Sequence, residues 1–227
     1  MNTNKTDITM IMDASGSMDG FRQEQAVNGY NEFIQEQKKG PGECYVSLFL
    51  FNTEIEPKYD GKPIQDVPTL KIDDYKCDGQ TAINDALGLL INQLGDRLRD
   101  MPEEDRPGKV IVVVLTDGEE NASQEFTYQK VKEMMDHQRD VYSWNFIIMG
   151  SNEINASPDG NFAGMAGVRG PCGPKGLMGD IGLDGVMTKM FSASSAAVMR
   201  FRTGQAQEVA YSDAEENDAD LKTVVQA

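Results

Sequence analysis

An acid and two hydroxyl side chains follow the first apolar segment of the chain at intervals of two residues. Residues 8–12 read Ile-Thr-Met-Ile-Met, and Asp13, Ser15 and Ser17 come directly after them. A chain that leaves the carboxyl edge of a buried strand turns there, so these side chains can converge on one point. Their oxygens are hard ligands, which suit Mg²⁺ better than a thiophilic metal. Because Asp and Ser are also common in turns, the triplet gains weight only from two later segments.

Those two segments carry further oxygen ligands in similar settings. Residues 78–81 read Asp-Gly-Gln-Thr and precede the strongest helix pattern of the chain. Thr81 therefore offers a free hydroxyl at the start of that helix, or it serves as the N-cap. Residues 115–118 read Leu-Thr-Asp-Gly and end an aliphatic run. If both strands are central and adjacent, Asp13 and Asp117 face each other beyond the carboxyl ends of the strands, where ligands bind in such sheets.

Strand-like and helix-like segments alternate through the first two-thirds of the chain. The predicted strands are 7–12, 44–51, 54–59, 110–115 and 141–149, and the predicted helices are 18–37, 81–99 and 126–137. The aliphatic run at 110–115 indicates a strand buried on both faces, as in the centre of a parallel sheet. The alternation predicts an α/β fold with a doubly wound, mostly parallel central sheet flanked by helices.

A glycine repeat interrupts this alternation. Glycine occupies every third position from 164 to 185, eight times in all, as in collagen. Proline is scarce in the repeat, at positions 171 and 174 only, which is below the usual collagen enrichment. The sequence therefore predicts a flexible or irregular collagen-like insertion. The expected organisation is a core at 1–163, the insertion at 164–187, a C-terminal helix packing on the core at 188–205, and an acidic disordered tail at 206–227.

Composition limits the kinds of partner that the chain is expected to bind and the cellular compartment in which it is expected. The chain has 227 residues and a formal net charge of −16, which argues against binding to nucleic acid or to an anionic membrane. Its three cysteines have no paired or metal-like spacing, and residues 1–7 lack the apolar core of a signal peptide. A cytoplasmic protein is therefore expected. The single histidine, His137, nearly excludes a histidine-dependent triad or a histidine-rich metal site.

Taken together, Asp-x-Ser-x-Ser at 13–17, Thr81 after a glycine turn, and Asp117 followed by glycine resemble the metal-ion-dependent adhesion site of von Willebrand factor type A domains. The resemblance includes the order and approximate spacing of these segments and covers roughly residues 7–150. Intracellular bacterial or phage members are the most similar, because of the Thr-Asp-Gly-Glu-Glu-Asn run at 116–121. The glycine repeat departs from the family pattern where a last strand is expected.

The resemblance implies a role for each of five residues. Ser15 and Ser17 would coordinate a divalent cation directly, and Thr81 would join them when a ligand is bound. Asp13 and Asp117 would hold the ion mostly through bridging waters. The implied cofactor is Mg²⁺, with Mn²⁺ and Ca²⁺ as alternatives. The open coordination position would attract an Asp or Glu carboxylate of a partner protein, so the expected function is a noncatalytic, metal-dependent adaptor module.

Two other functions fit parts of the sequence. One is a Mg²⁺-dependent hydrolase or phosphotransferase with Asp13 as nucleophile, although phosphatases of that layout carry a second acid where this chain has Ser15. The other is a homotrimeric scaffold assembled through the glycine repeat, whereas a monomer is favoured. The chain has no Gly-rich Lys-Ser/Thr phosphate loop. Asp19, Glu119 and Glu120 near the predicted rim are interpreted as solvated loop acids rather than as residues that shape partner choice or bind a second ion.

Overall fold

A seven-stranded sheet organises the described part of the chain. The computed structural model describes residues 1–117, 120–151, 175–179, 185–216, 218 and 222–224. The strands are β1 (Asn2–Asp13), β2 (Glu43–Phe51), β3 (Ile55–Pro63), β4 (Pro107–Thr116), β5 (Asn145–Ser151), β6 (Lys175–Gly179) and β7 (Lys222–Val224). The helices are α1 (Phe21–Lys38), α2 (Ile83–Asp100), α3 (Tyr128–Tyr142), α4 (Val186–Arg202) and the single turn α5 (Asp213–Glu216).

The strand order is β3-β2-β1-β4-β5-β6-β7. The five inner strands run parallel, and the two edge strands β3 and β7 are antiparallel to their neighbours. Parallel neighbours need crossover connections, and α1, α2 and α3 lie in those among β1 to β5, on both faces of the sheet. The predicted doubly wound, mostly parallel sheet is therefore confirmed, with β1 and β4 side by side at its centre.

Side chains alternate across the sheet and form two hydrophobic cores. In β4, Ile111, Val113 and Leu115 belong to the core shared with α1 and α4. Val112 and Val114 point to the opposite face and belong to the core shared with α2 and α3. All five side chains are at most 1% exposed, as the prediction of a strand buried on both faces requires. Because β4 is buried on both faces, its apolar run continues to the end of the strand, and the polar residues of the following loop begin there.

The sequence-based boundaries of the helices are close to the observed ones, with one exception. Residues 141 and 142, which were predicted to begin a strand, form the last turn of α3, and β5 starts at Asn145. Ser143, in the left-handed conformation at φ 57°, ends the helix, and its N–H bonds the Arg139 carbonyl. The β-branched side chain of Val141 favours a strand in sequence-based reasoning. In the structure Val141 is exposed on the helix and packs in neither core.

The prediction of an irregular insertion at 164–187 is wrong for residues 175–179. These residues form β6, which pairs in parallel register with β5 from Ile147–Lys175 to Ser151–Gly179. Repeated glycine also permits an extended strand, and the exposed edge of β5 supplies the backbone partners that a sequence pattern cannot reveal. Residues 164–174 and 180–184 lie outside the described residues.

The C-terminal boundaries also differ from the prediction. The last long helix begins at Val186 rather than at 188. The segment predicted to be a disordered tail packs on the domain in part, since Val209 and Tyr211 are at most 8% exposed. Residues 222–224 form β7 and pair with β6. An acidic composition predicts solvation. Two buried apolar side chains, together with bonds such as that from Arg200 to Glu215, hold part of the segment on the domain instead. No helix in the described part of the chain is long and apolar enough to cross a bilayer.

Candidate metal centre

The carboxyl ends of β1 and β4 bring two acids to the same edge of the sheet. Met12 pairs with Leu115 in the parallel register, so Asp13 and Thr116 follow at the same level. Asp117 comes one residue later. The expectation that the two acids come from adjacent central strands is therefore confirmed.

Asp13 is a buried acid at the inner end of the centre. Its side chain is 0% exposed, and both of its carboxylate oxygens accept hydrogen bonds. The Ser15 N–H donates to Oδ1 at 2.8 Å, and the Thr116 hydroxyl donates to Oδ2 at 2.6 Å. Burial raises the pKa of Asp13 to about 6, while the bonds from Thr116 and Ser15 act in the opposite direction. The Tyr75 hydroxyl donates a hydrogen bond to the Asp13 carbonyl oxygen at the end of β1.

A chain of hydrogen bonds links the two serines to the second acid. The Ser17 hydroxyl donates to Asp117 Oδ1 at 2.6 Å. The hydroxyl oxygens of Ser15 and Ser17 lie 3.0 Å apart. Because Ser17 donates its only hydroxyl proton to Asp117, Ser15 is the donor of this pair. Ser15 is 2% exposed, whereas Ser17 is open to solvent. Four of the five predicted site residues therefore form one connected cluster that reaches the surface at Ser17.

Thr81 approaches the cluster through the backbone of its own loop. The Gly16 N–H donates to the Gly79 carbonyl at 3.1 Å, and the Asp78 N–H donates to the Ala14 carbonyl at 2.9 Å. Gly79 has φ +75°, a conformation that glycine adopts without strain. Within the described residues, the Thr81 hydroxyl has no hydrogen bond to the other four site residues.

The alternative role of Thr81 as an N-cap is wrong. Helix α2 begins at Ile83, its N-cap is Ala82, and no side chain caps it. Thr81 lies one residue before the cap and is 3% exposed. Its backbone is held from the other side by Asn121, which accepts from the Thr81 N–H and donates to the Thr81 carbonyl, both at 3.0 Å. The loop that follows β4 therefore clamps the loop that carries Thr81.

Glu120 is a structural residue of that clamp and not a solvated rim acid as predicted. Its carboxylate accepts from the N–H groups of Ala122 and Ser123 at 3.0 and 2.7 Å and from the Ser123 hydroxyl at 2.6 Å. It also accepts from the Asn84 N–H at 3.0 Å. Acids bonded to free N–H groups in the first turn of a helix are stabilising. Glu119 lies outside the described residues.

Asp85 forms a second clamp between α2 and the same loop. Its carboxylate accepts three consecutive backbone N–H groups, from Gln124, Glu125 and Phe126, at 2.7, 2.9 and 2.7 Å. The Asp85 N–H in turn donates to the Ser123 hydroxyl at 3.1 Å. Sequence reasoning missed this residue because an acid in a first helical turn is common and its partners lie about forty positions away.

Arg22 is a further member of the centre that sequence reasoning missed. Its Nη1 donates to Asp117 Oδ2 at 2.6 Å and to the Ser17 carbonyl at 3.1 Å. Arg22 lies in the first turn of α1, where acids are the favourable charges. A cation at that position, five residues after Ser17, was the signal that could have pointed to it.

The donor set fits a hard divalent cation. Among the described residues, no group of three or more His, Cys, Asp or Glu side chains could hold a metal, so a site here depends on hydroxyl oxygens. Ser17 donates its proton to Asp117 and accepts one from Ser15, which leaves one Ser17 lone pair available to a cation. Asp13 and Asp117 supply two negative charges, and Ser17 provides the solvent-facing side. This combination of carboxylate, hydroxyl and water access suits Mg²⁺, which keeps several of its waters.

Comparisons with known proteins agree with the fold. A family model described as von Willebrand factor type A domain matches residues 7–157. A solved von Willebrand factor type A protein from Catenulispora acidiphila is 13% identical with a TM-score of 0.54, and the match covers 86% of this chain and 43% of that one. No curated protein sequence matches the chain.

Two further solved structures are similar at lower TM-scores. Proximal thread matrix protein 1 from the mussel byssus, with a zinc-occupied MIDAS motif, is 20% identical with a TM-score of 0.46 over 66% of this chain and 37% of that one. The ArnB paralog VWA2 from Sulfolobus acidocaldarius is 20% identical with a TM-score of 0.40 over 66% and 35%. The chain spans less than half the length of each of these three structures.

Proposed function

Since this chain belongs to the von Willebrand factor type A family, whose domains are known for metal-dependent protein interactions, we propose that it is a noncatalytic, metal-dependent protein-binding module. A divalent cation held by Asp13, Ser15, Ser17, Thr81 and Asp117 coordinates an Asp or Glu carboxylate of a partner protein. The observation that carries the proposal is the 2.6 Å bond from Ser17 to Asp117, which joins two of the three site loops at a solvent-facing hydroxyl.

The chemistry of the donors explains why the cation would attract a carboxylate. Hydroxyl oxygens are neutral, so Ser15, Ser17 and Thr81 as direct ligands would contribute no negative charge to the coordination shell of the cation. Asp13 is turned inward, with both oxygens bonded to Ser15 and Thr116. An outside carboxylate then meets an ion whose direct protein ligands are neutral and which has an exchangeable water.

The same contacts support a noncatalytic role. A nucleophilic Asp13 would need an exposed oxygen, but the side chain is 0% exposed and each oxygen accepts a hydrogen bond. The position of the second acid of a phosphatase is taken by Ser15, whose hydroxyl bonds Ser17. Among the described residues of the centre, the Asp13 oxygens and the Ser15 hydroxyl are thus engaged in hydrogen bonds, which favours ion binding over nucleophilic catalysis.

Charge shapes the expected binding behaviour. The formal net charge of −16 repels an acidic partner over about the 10 Å Debye length at 0.1 M salt. Attraction therefore comes from the divalent ion at short range. Moderate salt will leave the metal-dependent association unchanged or will strengthen it. Mg²⁺ is the proposed cation, with Mn²⁺ and Ca²⁺ as alternatives, and the proposed setting is a cytoplasmic adaptor of the bacterial or phage type.

Calorimetric titration of the full chain with Mg²⁺ and Mn²⁺ tests the site. Asp117→Ala should abolish metal binding, because it removes a site carboxylate and leaves the Arg22 guanidinium beside the ion position. The matched control is Asp96→Ala, which removes the same charge from an exposed position of α2. Equal metal binding by both variants and the wild type would refute the site.

A pull-down from the native host tests the binding function. Wild type, Asp117→Ala and Asp96→Ala are compared in Mg²⁺ and in EDTA. A partner retained by wild type and Asp96→Ala in Mg²⁺, and lost in EDTA, supports the proposal. Retention of that partner by the wild type in EDTA contradicts it.

A further inference from the structure

Arg22 places a guanidinium group at the rim of the metal centre. Its Nη1 makes two bonds, to Asp117 Oδ2 and to the Ser17 carbonyl. The side chain is 32% exposed, while the Asp117 side chain to which it is bonded is 0% exposed. Arg22 therefore has one end fixed in the centre and the remainder of its donor face accessible from solvent.

We propose that Arg22 is a specificity-determining residue that binds the partner's carboxylate together with the cation, an assignment that rests on the function proposed above. The ligand class is a side-chain or terminal carboxylate. The cation takes one oxygen and the guanidinium donates to the other.

The unused donors of Arg22 support this assignment. A guanidinium carries five N–H donors in a planar fork that matches the two oxygens of a carboxylate. Only Nη1 is used, and within the described part of the chain Nε and Nη2 have no hydrogen-bond partner. Among the described residues, these two nitrogens are absent from the fully buried polar atoms without a partner, and the Arg22 side chain is 32% exposed.

Arg22 also changes the net charge of the centre when a cation is bound. The carboxylates of Asp13 and Asp117 together balance the charge of one divalent cation. Arg22 adds one positive charge, so the loaded centre is cationic and attracts an anion. Without Arg22 the loaded centre would be formally neutral. The same residue lowers the affinity for the cation, because its guanidinium competes for Asp117 and repels a second positive charge.

These two consequences have opposite signs, which separates the proposal from a purely structural role. If Arg22 only held the Ser17 loop in place, its loss would lower the affinity for the cation and the affinity for the carboxylate together. If it recognises the carboxylate, its loss strengthens cation binding and weakens carboxylate binding. The two affinities must therefore be measured on the same protein.

Mn²⁺ and acetate serve as probes. Electron paramagnetic resonance measures free Mn²⁺ at pH 7.5, and the relaxation of acetate protons by bound Mn²⁺ measures acetate binding, with acetamide as a neutral analogue. Arg22→Gln should bind Mn²⁺ severalfold more tightly and acetate about tenfold more weakly, the loss expected for one charge-assisted hydrogen bond. Arg22→Lys, which keeps the charge without the fork, should fall between these values. Arg99→Gln removes an exposed arginine, 67% exposed beside Asp96 and Asp100, and should match the wild type.

Each outcome decides between the alternatives. Unchanged acetate affinity in Arg22→Gln overturns the assignment while leaving the metal-binding function intact. A parallel loss of Mn²⁺ and acetate affinity shows that Arg22 acts only as a structural support, and it also overturns the assignment. A wild-type protein that binds no Mn²⁺ refutes the proposed function itself, and the assignment fails with it.

Discussion

Ser17 and Asp117 are joined by a 2.6 Å hydrogen bond across 100 positions of sequence. Ser17 is exposed, whereas the Asp117 side chain is completely buried. The bond therefore connects the solvent-facing part of the centre to its inner acid, and it sets the direction of the hydroxyl proton. The metal-binding proposal depends on this relationship, since it directs the Ser17 proton to Asp117 and leaves one Ser17 lone pair available to a cation.

Replacement of Ser17 by alanine tests that relationship directly. Ser17→Ala removes a hydroxyl ligand and one of the two contacts of Asp117, while Arg22 still holds the other oxygen. We expect Mn²⁺ affinity to fall by at least about 10- to 100-fold, the range found when groups that only support a metal ligand are removed. Ser17→Thr keeps the hydroxyl and should retain measurable binding. Calorimetry that found Ser17→Ala equal to the wild type would contradict a role for this hydroxyl.

The buried carboxyl of Asp13 predicts a pH dependence of stability in the absence of metal. Burial raises its pKa from 3.8 to about 6, so between these values the folded state binds more protons than the unfolded state. The free energy of unfolding therefore falls as pH rises through this window. Asp13→Asn should remove this term, which shifts the difference between variant and wild type by up to roughly 3 kcal/mol in favour of the variant from pH 4 to pH 7.

Urea unfolding in EDTA at several pH values measures this difference. Other carboxylates titrate in both proteins, so only the difference between variant and wild type is interpreted. Curves that remain parallel from pH 4 to pH 7 would show that the Asp13 pKa is not raised. Added Mg²⁺ should stabilise the wild type at pH 7 and leave Asp13→Asn unchanged.

Asp85 should control the order of the loop that follows β4. Asp85→Asn replaces a carboxylate that accepts three consecutive N–H groups with a neutral amide that has one accepting oxygen. We expect faster hydrogen exchange at residues 124–126 and a loss of stability of about 1–3 kcal/mol. Asp96→Asn, an exposed acid on the same helix, is the control. Unchanged exchange at 124–126 would mean that Asp85 does not hold the loop.

Two glycines of α2 provide a matched pair for the contact between this helix and the loop. A Cβ added at Gly88 would collide with the ring of Phe126, whereas at Gly95 it would meet nothing within 4 Å. Gly88→Ala should destabilise the protein by about 1–3 kcal/mol through overpacking. Gly95→Ala should stabilise it by about 0.5–1 kcal/mol, because alanine loses less backbone entropy in a helix. Thermal denaturation of the two variants measures both effects, and a stabilising Gly88→Ala would contradict the packing.

The sequence indicated most of the sheet and four of the connected site residues because those signals are local. A strand buried on both faces needs consecutive apolar residues, so the run that ends before Asp117 shows in the sequence where β4 stops. The same holds for β1 and Asp13. Once both strands were placed in the centre of a parallel sheet, the general rule that ligands bind at the carboxyl ends of strands located the centre.

The tertiary structure decided features whose partners are distant or are backbone groups. Arg22 meets Asp117 across 95 positions, and Asp85 meets Phe126 across 41, through pairings that no local pattern encodes. Strand β6 forms within a glycine repeat because β5 offers an open row of backbone N–H and C=O groups. Side-chain periodicity and turn chemistry are written in the order of the residues. The charge and hydrogen-bond partners that complete the centre exist only after the sheet has brought its loops together.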